Sequence, residues 1–523
     1  MMKLLNQPVM GLLRRQIVNP AVPQRTLRAA AWSDADIRDA KPFQEIPGPK
    51  GIYSLPIIGS MLHFKPFTNH TIETTHNLCN ELLDKYGSLV RVQLGGWMVL
   101  VEDVADIEVV MKNEGKYPDR YVPPLHKIFC EKTGFQKGLA HLDGIEWQKL
   151  RSPVNTRMMR TKSAQYYLSA QNEVADELVS LIKNGEFKQD NILDLFFKYA
   201  CESITVVAFN KRLGYLSTDV DQYPDKVQAL KDIQTLFELL NASSAIPPFI
   251  LHNFPLRIKR QYEEATARLV TQTQEYYEAT MDDIKKRQAE GTLDLEENNF
   301  MLSLMTTDKM TVGQMGAIAL DLFGAGTDST ARNLQMMLYI LARNPDKQQK
   351  LYEEVMDVMG PSGPMTIESL ANMPYLLASL RESFRIQFPT SSGTQRFMPT
   401  EIVIKGYRIP AGTSVALMNQ RTVKNKKYFP NPEEFRPERW LRDKDGKRSV
   451  DIPSAALLPF GFGPRQCLGK RFAEQEIYLA VSKIIQNFEI SLEPGHEDIE
   501  VLYRIFIGTK NPIRFVFKSR WQC

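Results

Sequence analysis

Residues 459–469 hold the side chains of this chain that are best suited to chemistry. They read Pro-Phe-Gly-Phe-Gly-Pro-Arg-Gln-Cys-Leu-Gly, and the glycines and prolines exclude the interior of a helix or strand. An amphipathic stretch follows from Lys470 to about Ile485, so Cys467 lies at or just before a helix N-terminus. Free amide groups and the helix dipole favour a thiolate there, which suits a soft metal such as haem iron. The alternative for a lone cysteine is a small buried hydrophobe.

A second group of reactive side chains lies within a long, largely apolar helix predicted over residues 311–344. Its middle reads Gly-Ala-Gly-Thr-Asp-Ser-Thr, from Gly324 to Thr330. Two glycines inside a helix cost about 1 kcal/mol each relative to alanine, and small residues would let a flat ligand lie close. An acid followed by hydroxyls, Asp328 and Ser329, could pass protons into that gap. The alternative is a helix kink with a solvent-facing aspartate.

Two spaced pairs are weaker signals. Trp147 and Arg151 stand four apart on a predicted helix and share a face, which also describes a half-buried tryptophan beside a solvated arginine. Glu382 and Arg385 stand three apart, which is the spacing of an ordinary surface ion pair worth less than about 1 kcal/mol.

Taken together, these stretches resemble the cytochrome P-450 family. Residues 460–469 match its haem-binding pattern Phe-Gly-x-Gly-x-Arg-x-Cys-x-Gly at every fixed position. Residues 325–330 resemble its oxygen-activation motif Ala-Gly-x-Asp-Thr-Thr, with Ser329 where threonine is commonest. The motifs occur in the family's order, and with the proline-rich hinge at 46–51 and the segment 435–440 the resemblance covers about residues 42–518. The ordered set favours the ligand interpretation of Cys467 over the packed cysteine.

The resemblance implies a role for each matching residue. Cys467 would be the axial thiolate ligand of haem b, and Asp328 and Ser329 would deliver protons during catalysis. Serine lacks the methyl that restrains the threonine rotamer, which would affect coupling more than reaction type. Glu382 and Arg385 would join Arg439 in a buried structural network. The residues expected to contact the cofactor are Trp147, Arg151, Ala325, Gly326, Arg396, Phe460, Gly461, Arg465 and Gly469, with the tryptophan and the three arginines at the haem propionates.

The fold that the resemblance implies is mainly α with a small β region, in a single triangular domain. It would occupy residues 52–523, after a linker and proline-rich hinge at 34–51. From its length alone the chain would be expected to form about three domains, and the resemblance replaces that expectation with a single domain. Five dispersed cysteines form neither a disulfide framework nor a zinc pattern, which fits a reducing compartment. The spacing predicts helices over 71–86, 103–113, 165–240, 257–290 and 373–386, strands within 89–101, 396–415, 488–492 and 513–517, and irregular chain over 117–142 and 245–256.

Residues 1–33 are predicted to be a mitochondrial transit peptide. They carry five basic residues and no acid, so they contribute +5 to the chain's net charge of +4 and the remaining residues carry −1. Because the chain outside residues 1–33 is not basic, a nucleic-acid-binding surface is not supported. An arginine-rich, acid-free leader with short apolar patches is typical of a transit peptide, and the alternative is a disordered basic tail. No run of about 20 apolar residues near the N-terminus could form a membrane anchor.

The residues after Cys467 resemble the animal mitochondrial branch of the family, Gly-Arg/Lys-Arg-x-Ala-Glu. Lys470, Arg471 and Arg381 would meet a mitochondrial ferredoxin, which receives electrons from NADPH through NADPH-ferredoxin reductase, and charge complementarity would set the on-rate. Leu377 stands where the branch usually has a second basic residue. The expected location is the mitochondrion, on the matrix side. The apolar segment 245–256 has two interpretations: it contacts the inner membrane peripherally, or it is a loop packed against the protein.

The activity that the resemblance implies is a haem-thiolate monooxygenase. With O2 as co-substrate it would hydroxylate a small lipophilic substrate, and a sterol or steroid-like molecule is favoured. A detoxifying monooxygenase of foreign lipophilic compounds is the first alternative. A haem-thiolate isomerase or dehydratase is a second, although such relatives tend to lack the acid–alcohol pair at 328–329. A non-enzymatic haem sensor or lipid carrier is a third, and it would not consume NADPH.

Overall fold

The computed structural model describes residues 38–294, 299–305, 310–443, 445–448 and 450–521. The predicted leader, 1–33, lies outside this range, as does the start of the linker. Helices dominate the described chain, as predicted. In chain order, α1 to α18 span Ile58–Met61, Thr75–Tyr86, Val104–Asn113, Pro124–Thr133, Gly144–Met158, Thr161–Tyr166, Leu168–Lys183, Ile192–Phe209, Pro224–Ser243, Pro248–Asn253, Arg257–Ala289, Phe300–Met305, Val312–Ala342, Pro345–Met359, Ile367–Ala371, Pro374–Ile386, Asn419–Thr422 and Lys470–Asn487.

The β region is small, which confirms the predicted fold class. In chain order, β1 to β10 span Leu89–Gln93, Trp97–Val101, Gln395–Phe397, Ile402–Ile404, Tyr407–Ile409, Ser414–Leu417, Phe488–Leu492, Val501–Arg504, Phe506–Thr509 and Phe515–Ser519. The largest sheet of the described chain has the order β1-β2-β6-β3, with β2 and β6 parallel and the other neighbours antiparallel. The predicted hairpin over 89–101 turns at Gly95, whose φ of 69° favours glycine. This sheet places Arg396, in β3, beside the site described below.

Helix α13 runs through the centre of the main core. It begins at a capping box, in which Thr311 Oγ1 accepts from Gln314 N at 3.2 Å and Gln314 Oε1 accepts from Thr311 N at 2.9 Å. Its largest packing partner is α8, a helix that is buried over most of its length. The helix predicted over 311–344 is confirmed to within two residues at each end. Because the helix is buried in the core, it is a rigid support for those of its residues that face the site described below.

Two segments predicted to be irregular each contain a helix. Within 117–142 lies α4, because Pro124 occupies the first helical position, where its missing N–H costs nothing. Gly134, with φ of 72°, ends it in the left-handed conformation. Within 245–256 lies the short α10, with Pro248 at its start. The prolines that suggested loops are helix starts.

The C-terminal part also departs in detail from the expected pattern. Residues 503–508 lie in the antiparallel pair β8–β9, with Ile505 at the turn. The predicted strand over 513–517 is β10, shifted by two residues and paired with β7. Of the helices in the described parts of the chain, none combines the length and the apolar character that crossing a bilayer requires.

Candidate active site

One large cavity of about 1300 Å³ lies between the loop that holds Cys467 and the middle of α13. Its wall is mostly apolar and receives contributions from α2, α4, α9, α11 and the β8–β9 turn. Ile505 and Phe506 at that turn line it, so this C-terminal segment reaches the cavity. A mostly apolar cavity with a few polar groups is the usual form of a small-molecule site.

The loop at 460–469 presents the Cys467 side chain to the cavity. Cys467 N donates to Phe460 O at 2.9 Å, which closes the loop, and Gly469 is the N-cap of α18. Gly461 and Gly463 have φ of 67° and 63°, and these two left-handed positions let the chain turn so tightly. Cys467 is exposed, but the surface that it exposes belongs to the cavity wall. The other described cysteines, Cys79, Cys130 and Cys201, are buried free thiols.

The electrostatic surroundings of Cys467 act in two directions. Burial raises the pKa of the thiol, while the amide groups of Gly469 and Lys470 and the guanidinium of Arg151 lower it. Each of those groups favours the thiolate over the thiol. The helix N-terminus that the sequence predicted thus contributes two backbone donors to the sulfur.

The α13 residues Gly324, Ala325, Gly326 and Ser329 lie on the cavity wall opposite the loop. A Cβ on Gly324 would meet no atom within 4 Å, so this position faces open space. A Cβ on Gly326 would lie 2.7 Å from Ile204 Cγ1 in α8. Gly326, predicted to make room for a flat ligand, is therefore needed for the close approach of two helices. Ser329 Oγ donates to Ala325 O at 2.7 Å.

Asp328 does not reach the cavity wall, contrary to the expectation that the acid faces the gap. It is fully buried, and its Oδ1 lies 2.9 Å from Arg332 Nε one turn further along α13. Burial raises the pKa of Asp328 to about 6 against the opposing effect of Arg332. The structure thus separates the two predicted catalytic residues, with Ser329 on the wall and Asp328 behind it in an ion pair.

Arg465 lines the cavity and keeps one guanidinium nitrogen without a hydrogen bond to the described chain, although its charge is paired with Asp143, whose Oδ1 accepts from Nη2 at 2.6 Å. Its Nε donates to Pro118 O and its Nη2 to Leu142 O, both at 2.8 Å, while Nη1 is buried with no hydrogen-bond partner among the described residues. Its guanidinium carbon lies 4.0 Å from the Trp147 ring centroid. Burial lowers the pKa of Arg465 to about 10, and neighbouring arginines add to the effect.

Arg151 and Arg396 are already engaged by the protein. Arg151 Nε donates to Asn155 Oδ1 at 2.6 Å and its Nη2 donates to Gln466 O, so it holds the backbone next to Cys467. Arg396 Nε donates to Glu114 Oε2 at 2.7 Å, and both side chains are buried. The charge of Arg396 is thereby compensated within the protein.

Two residues of the site were missed in the sequence. Arg120 lines the cavity, with Nη2 donating to Ala140 O at 2.7 Å. Glu114, the partner of Arg396, would come within 1.8 Å of a Cβ on Gly463, so a glycine is required there. No pattern in the sequence connects Glu114 with residues some 280 and 350 positions away, whereas Arg120 lies in a segment already singled out as irregular and functional.

The predicted buried network behind the loop is confirmed. Glu382 Oε1 accepts from Arg385 Nη2 at 2.8 Å and from Arg439 Nε at 3.1 Å, and its Oε2 accepts from Trp440 Nε1 at 2.8 Å. The first three side chains are fully buried. Each carboxylate oxygen therefore has charged or polar donors, which is the condition for a stable buried ion pair.

Contacts between distant segments hold the β8–β9 turn against α9, where both line the cavity. Arg504 in β8 reaches Glu73 Oε1 with Nε at 2.6 Å and Glu238 Oε1 in α9 with Nη1 at 2.9 Å. Next to it, the rings of Phe237 and Phe506 meet edge to face with centroids 5.5 Å apart. Helix α9 is thus joined to both the N-terminal and the C-terminal parts of the chain.

These residues fit a haem. Cys467 presents its sulfur to the cavity, Gly324 leaves open space across from it, and the unpartnered Arg465 Nη1 can donate to a propionate. Phe460, edge to face with Phe384 at 5.4 Å between centroids, adds an aromatic wall beside the loop. In this fit Cys467 would hold the iron, and Arg465, with Arg120, would hold the carboxylates.

Comparisons with known proteins agree with this geometry. The family model described as Cytochrome P450 matches residues 49–517. The chain is 30% identical to cytochrome P450 27C1 of Danio rerio, over 93% of this chain and 92% of the relative. It is 31% identical to probable cytochrome P450 12a5, mitochondrial, of Drosophila melanogaster, over 98% and 96%, and 30% identical to probable cytochrome P450 12e1, mitochondrial, of the same organism, over 93% and 94%.

Members of that family are monooxygenases that use O2 and a haem with a cysteine thiolate as axial ligand, and they take electrons from redox partners. The match of the family model to most of the chain carries the assignment, and the cavity between Cys467 and α13 is consistent with it. The chain therefore belongs to the cytochrome P450 family and is a haem-thiolate monooxygenase.

Proposed function

We propose that this monooxygenase takes electrons from a mitochondrial ferredoxin and hydroxylates a small lipophilic substrate, with a sterol or steroid-like molecule favoured. The observation that carries the substrate class is the cavity of about 1300 Å³ with its mostly apolar wall. Apolar surface that leaves water on binding stabilises the complex by about 25 cal/mol per Å². Phe237 and Phe506, which both line the cavity, would contribute aromatic surface to such a molecule.

The roles of the site residues follow from where they lie. Cys467 would bind the haem iron, and bound haem would supply the activation of O2 to which the thiolate donates electron density. Arg465 would orient the cofactor through a propionate, and Arg151 would fix the backbone at Gln466. Ser329 Oγ, on the wall, would hold a proton or water near the reacting centre. Asp328, behind the wall, would exchange protons with the interior, since a carboxyl with a pKa of about 6 takes one up readily near neutral pH.

The surface behind the Cys467 loop supports the ferredoxin assignment. Lys470, Arg471 and Arg381 all act on the carboxyl of Glu474, so the three cations lie close together. Arg471 and Arg381 are exposed. Leu377 lies one turn before Arg381 on α16 and is half-buried against the main core. A cationic patch on this side would bring an acidic ferredoxin close to the cysteine ligand.

Location and membrane contact belong to the same proposal. Two of the relatives reported above are named as mitochondrial, and a mitochondrial ferredoxin requires the matrix side. The apolar tip of α10 carries Phe249 and Phe254, which are 62% and 49% exposed. These exposed aromatic side chains follow Pro247 and Pro248, which line the cavity, and they would contact the inner membrane peripherally, from which a lipophilic substrate could enter.

The first experiment is the absorption spectrum of the reduced protein with carbon monoxide. A strongly red-shifted Soret band is expected for wild type and for Cys130→Ala, which removes a buried cysteine away from the cavity. Cys467→Ala is expected to lose that band and all oxygenation. A thiolate-type spectrum that persists in Cys467→Ala would contradict the ligand assignment.

The second experiment tests the electron donor. NADPH consumption is followed with ferredoxin and its reductase, with and without lipophilic candidates. Leu377→Lys, which supplies the basic residue usual in this branch, is expected to raise the association rate at low salt, and Leu377→Gln serves as its uncharged control. Equal rates for both variants, or reduction only by a non-ferredoxin donor, would contradict the proposed partner.

A further inference from the structure

Four polar side chains meet at one place on the otherwise apolar cavity wall. His126 comes from α4, His141 from the segment before α5, Tyr262 from α11 and Asp321 from α13, and all four line the cavity. We refer to these four residues as the polar corner. The polar corner adjoins Arg120, which acts on both Asp321 and His141, but the monooxygenase chemistry described above does not use these four residues.

The polar corner is tightly ordered. The His126 and His141 rings are stacked with centroids 3.5 Å apart and 24° between planes. His126 Nδ1 and Tyr262 OH are hydrogen-bonded at 2.9 Å. Asp321 Oδ2 accepts from Ala140 N at 3.0 Å, which anchors the segment that carries His141. The four side chains thus come from four different parts of the chain, three helices and one connecting segment, and contacts among these parts fix them.

The ordered corner nevertheless leaves polar atoms unsatisfied. His126 Nε2 and His141 Nδ1 are buried and have no hydrogen-bond partner among the described residues. His141 Nδ1 lies 3.8 Å from Asp321 Oδ1, beyond hydrogen-bond length. His126 as a whole is 4% exposed. Buried polar atoms without partners are rare and costly, so atoms of this kind on a cavity wall indicate a group that the ligand supplies.

The chemistry of the corner selects the group. Burial lowers the pKa of His126 to about 4 and that of His141 well below its ordinary value, so both rings are neutral at physiological pH. A neutral imidazole offers one donor and one acceptor nitrogen. Nδ1 of His126 is hydrogen-bonded to Tyr262 OH, so Nε2 is the nitrogen left for a ligand. Nε2 accepts a hydrogen bond if Nδ1 carries the proton, and it donates one if Nδ1 does not. A hydroxyl both donates and accepts, so it satisfies either tautomer.

Charged groups fit less well. A carboxylate would lie close to the carboxylate of Asp321, and like charges at short range are unfavourable. An ammonium would have to leave water in an apolar cavity, and the Asp321 carboxylate that could attract it already interacts with the guanidinium of Arg120. A plain hydrocarbon would leave His126 Nε2 unpaired.

We propose that the polar corner binds a hydroxyl group of the substrate, so that this monooxygenase selects lipophilic alcohols over the corresponding hydrocarbons, acids and amines. The inference rests on the proposed function in one respect, that the substrate occupies this cavity. His126 and His141 are then specificity-determining residues.

The test compares matched ligands in calorimetric titrations of the oxidised, haem-loaded protein. The probes are adamantan-1-ol with adamantane, and decan-1-ol with decane, decylamine and decanoic acid. The quantity of interest is the ratio of the alcohol's affinity to the hydrocarbon's. In His126→Phe, which keeps an aromatic ring in the stack, we expect this ratio to fall about tenfold, the effect of one buried hydrogen bond. His141→Leu is expected to lower it as well.

Phe129→Leu is the control, because it disturbs the packing beside His126 and Tyr262 without removing a polar atom. We expect it to weaken alcohol and hydrocarbon alike and to leave the ratio unchanged. A carbon monoxide spectrum identical to wild type establishes that each variant is folded.

Several results would overturn the proposal. These are a ratio that does not change in either histidine variant, tighter binding of the amine or the acid than of the alcohol, and no detectable binding of any probe. An alcohol that binds the haem iron instead of the polar corner would still bind more tightly than the matching hydrocarbon in His126→Phe. Because the titrations need neither ferredoxin nor turnover, their failure is distinguishable from failure of the proposed function, which the spectrum and the NADPH assay report separately.

Discussion

Asp328 and Arg332 form an ion pair inside α13, with Arg332 Nε 2.9 Å and 3.1 Å from the two carboxylate oxygens. Both side chains are buried, and the guanidinium carbon of Arg332 lies 5.5 Å from the Phe197 ring centroid. The acid of the oxygen-activation motif is thus paired with a cation one turn further along α13, and its side chain does not line the cavity. Proton transfer from Asp328 to the cavity requires this pair to open or a water to bridge it.

Asp328→Asn is expected to slow turnover and to enlarge the solvent isotope effect, because the amide cannot pass protons. It also leaves Arg332 buried without its partner, which typically costs about 3–5 kcal/mol of unfolding free energy. Single-turnover kinetics in H2O and D2O, with urea unfolding alongside, measure both effects. Asp328→Asn/Arg332→Met restores charge balance and is expected to recover stability but not turnover. Wild-type turnover and isotope effect in the single variant would exclude the proton role.

Ser329→Ala is expected to release more peroxide per product while turnover continues. The hydroxyl lies on the cavity wall and donates to Ala325 O, so its loss removes an alcohol from the wall beside Ala325. Ser329→Thr, which adds the methyl that restrains the rotamer, is expected to improve coupling. The ratio of peroxide to product measures both variants, and identical ratios in wild type and alanine variant would show that another group supplies the proton.

Glu382→Gln is expected to lower the unfolding free energy by about 3–5 kcal/mol, because Arg385 and Arg439 would stay buried with less negative charge. Urea unfolding of the haem-loaded protein is the measurement. Glu131→Gln, which removes an exposed pair with Lys127 at 3.9 Å, is the control and should cost less than about 0.5 kcal/mol. A similar loss in both variants would mean that the network does not hold the fold.

Glu476→Gln is expected to remove a pH dependence of stability. Burial raises the pKa of Glu476 from 4.5 to about 8, and Gln171 Nε2 donates to its Oε1 at 3.1 Å. Between these values the folded protein holds a proton that the unfolded chain releases. The unfolding free energy therefore falls as pH rises, by up to about 1.4 kcal/mol per pH unit, and levels off above pH 8.

Urea unfolding of wild type and Glu476→Gln from pH 5 to 9 tests this. The variant should lack the descending part of the curve and should be the more stable protein at pH 8. Parallel curves over the whole range would show that Glu476 is ionised in the folded state at neutral pH.

The sequence was sufficient for features that depend on neighbours along the chain. The bounds of α13 followed from apolar spacing, and the loop at Cys467 followed from its glycines and prolines. The same local reasoning was wrong at α4, because Pro123 and Pro124 indicate a break equally well when they begin a helix.

Features that depend on contacts between distant segments could not be predicted. Glu114 meets Arg396 across some 280 residues, and Gly326 is required by Ile204 in another helix. The orientation of Asp328 also depends on its surroundings, since spacing on a helix does not say which face meets a cavity. The stacked pair His126 and His141 has no sequence pattern at all.

The contact of Arg504 with Glu73 and Glu238 has a consequence for recombination between relatives. One guanidinium joins residues from the first, middle and last parts of the chain, so substitutions at the three positions are not independent in their effects. A chimera whose exchanged part changes the charge at one of these positions leaves an unmatched charge next to Phe237 and Phe506, which line the cavity. Such a graft therefore disturbs this part of the cavity wall even where the residues around Cys467 are identical.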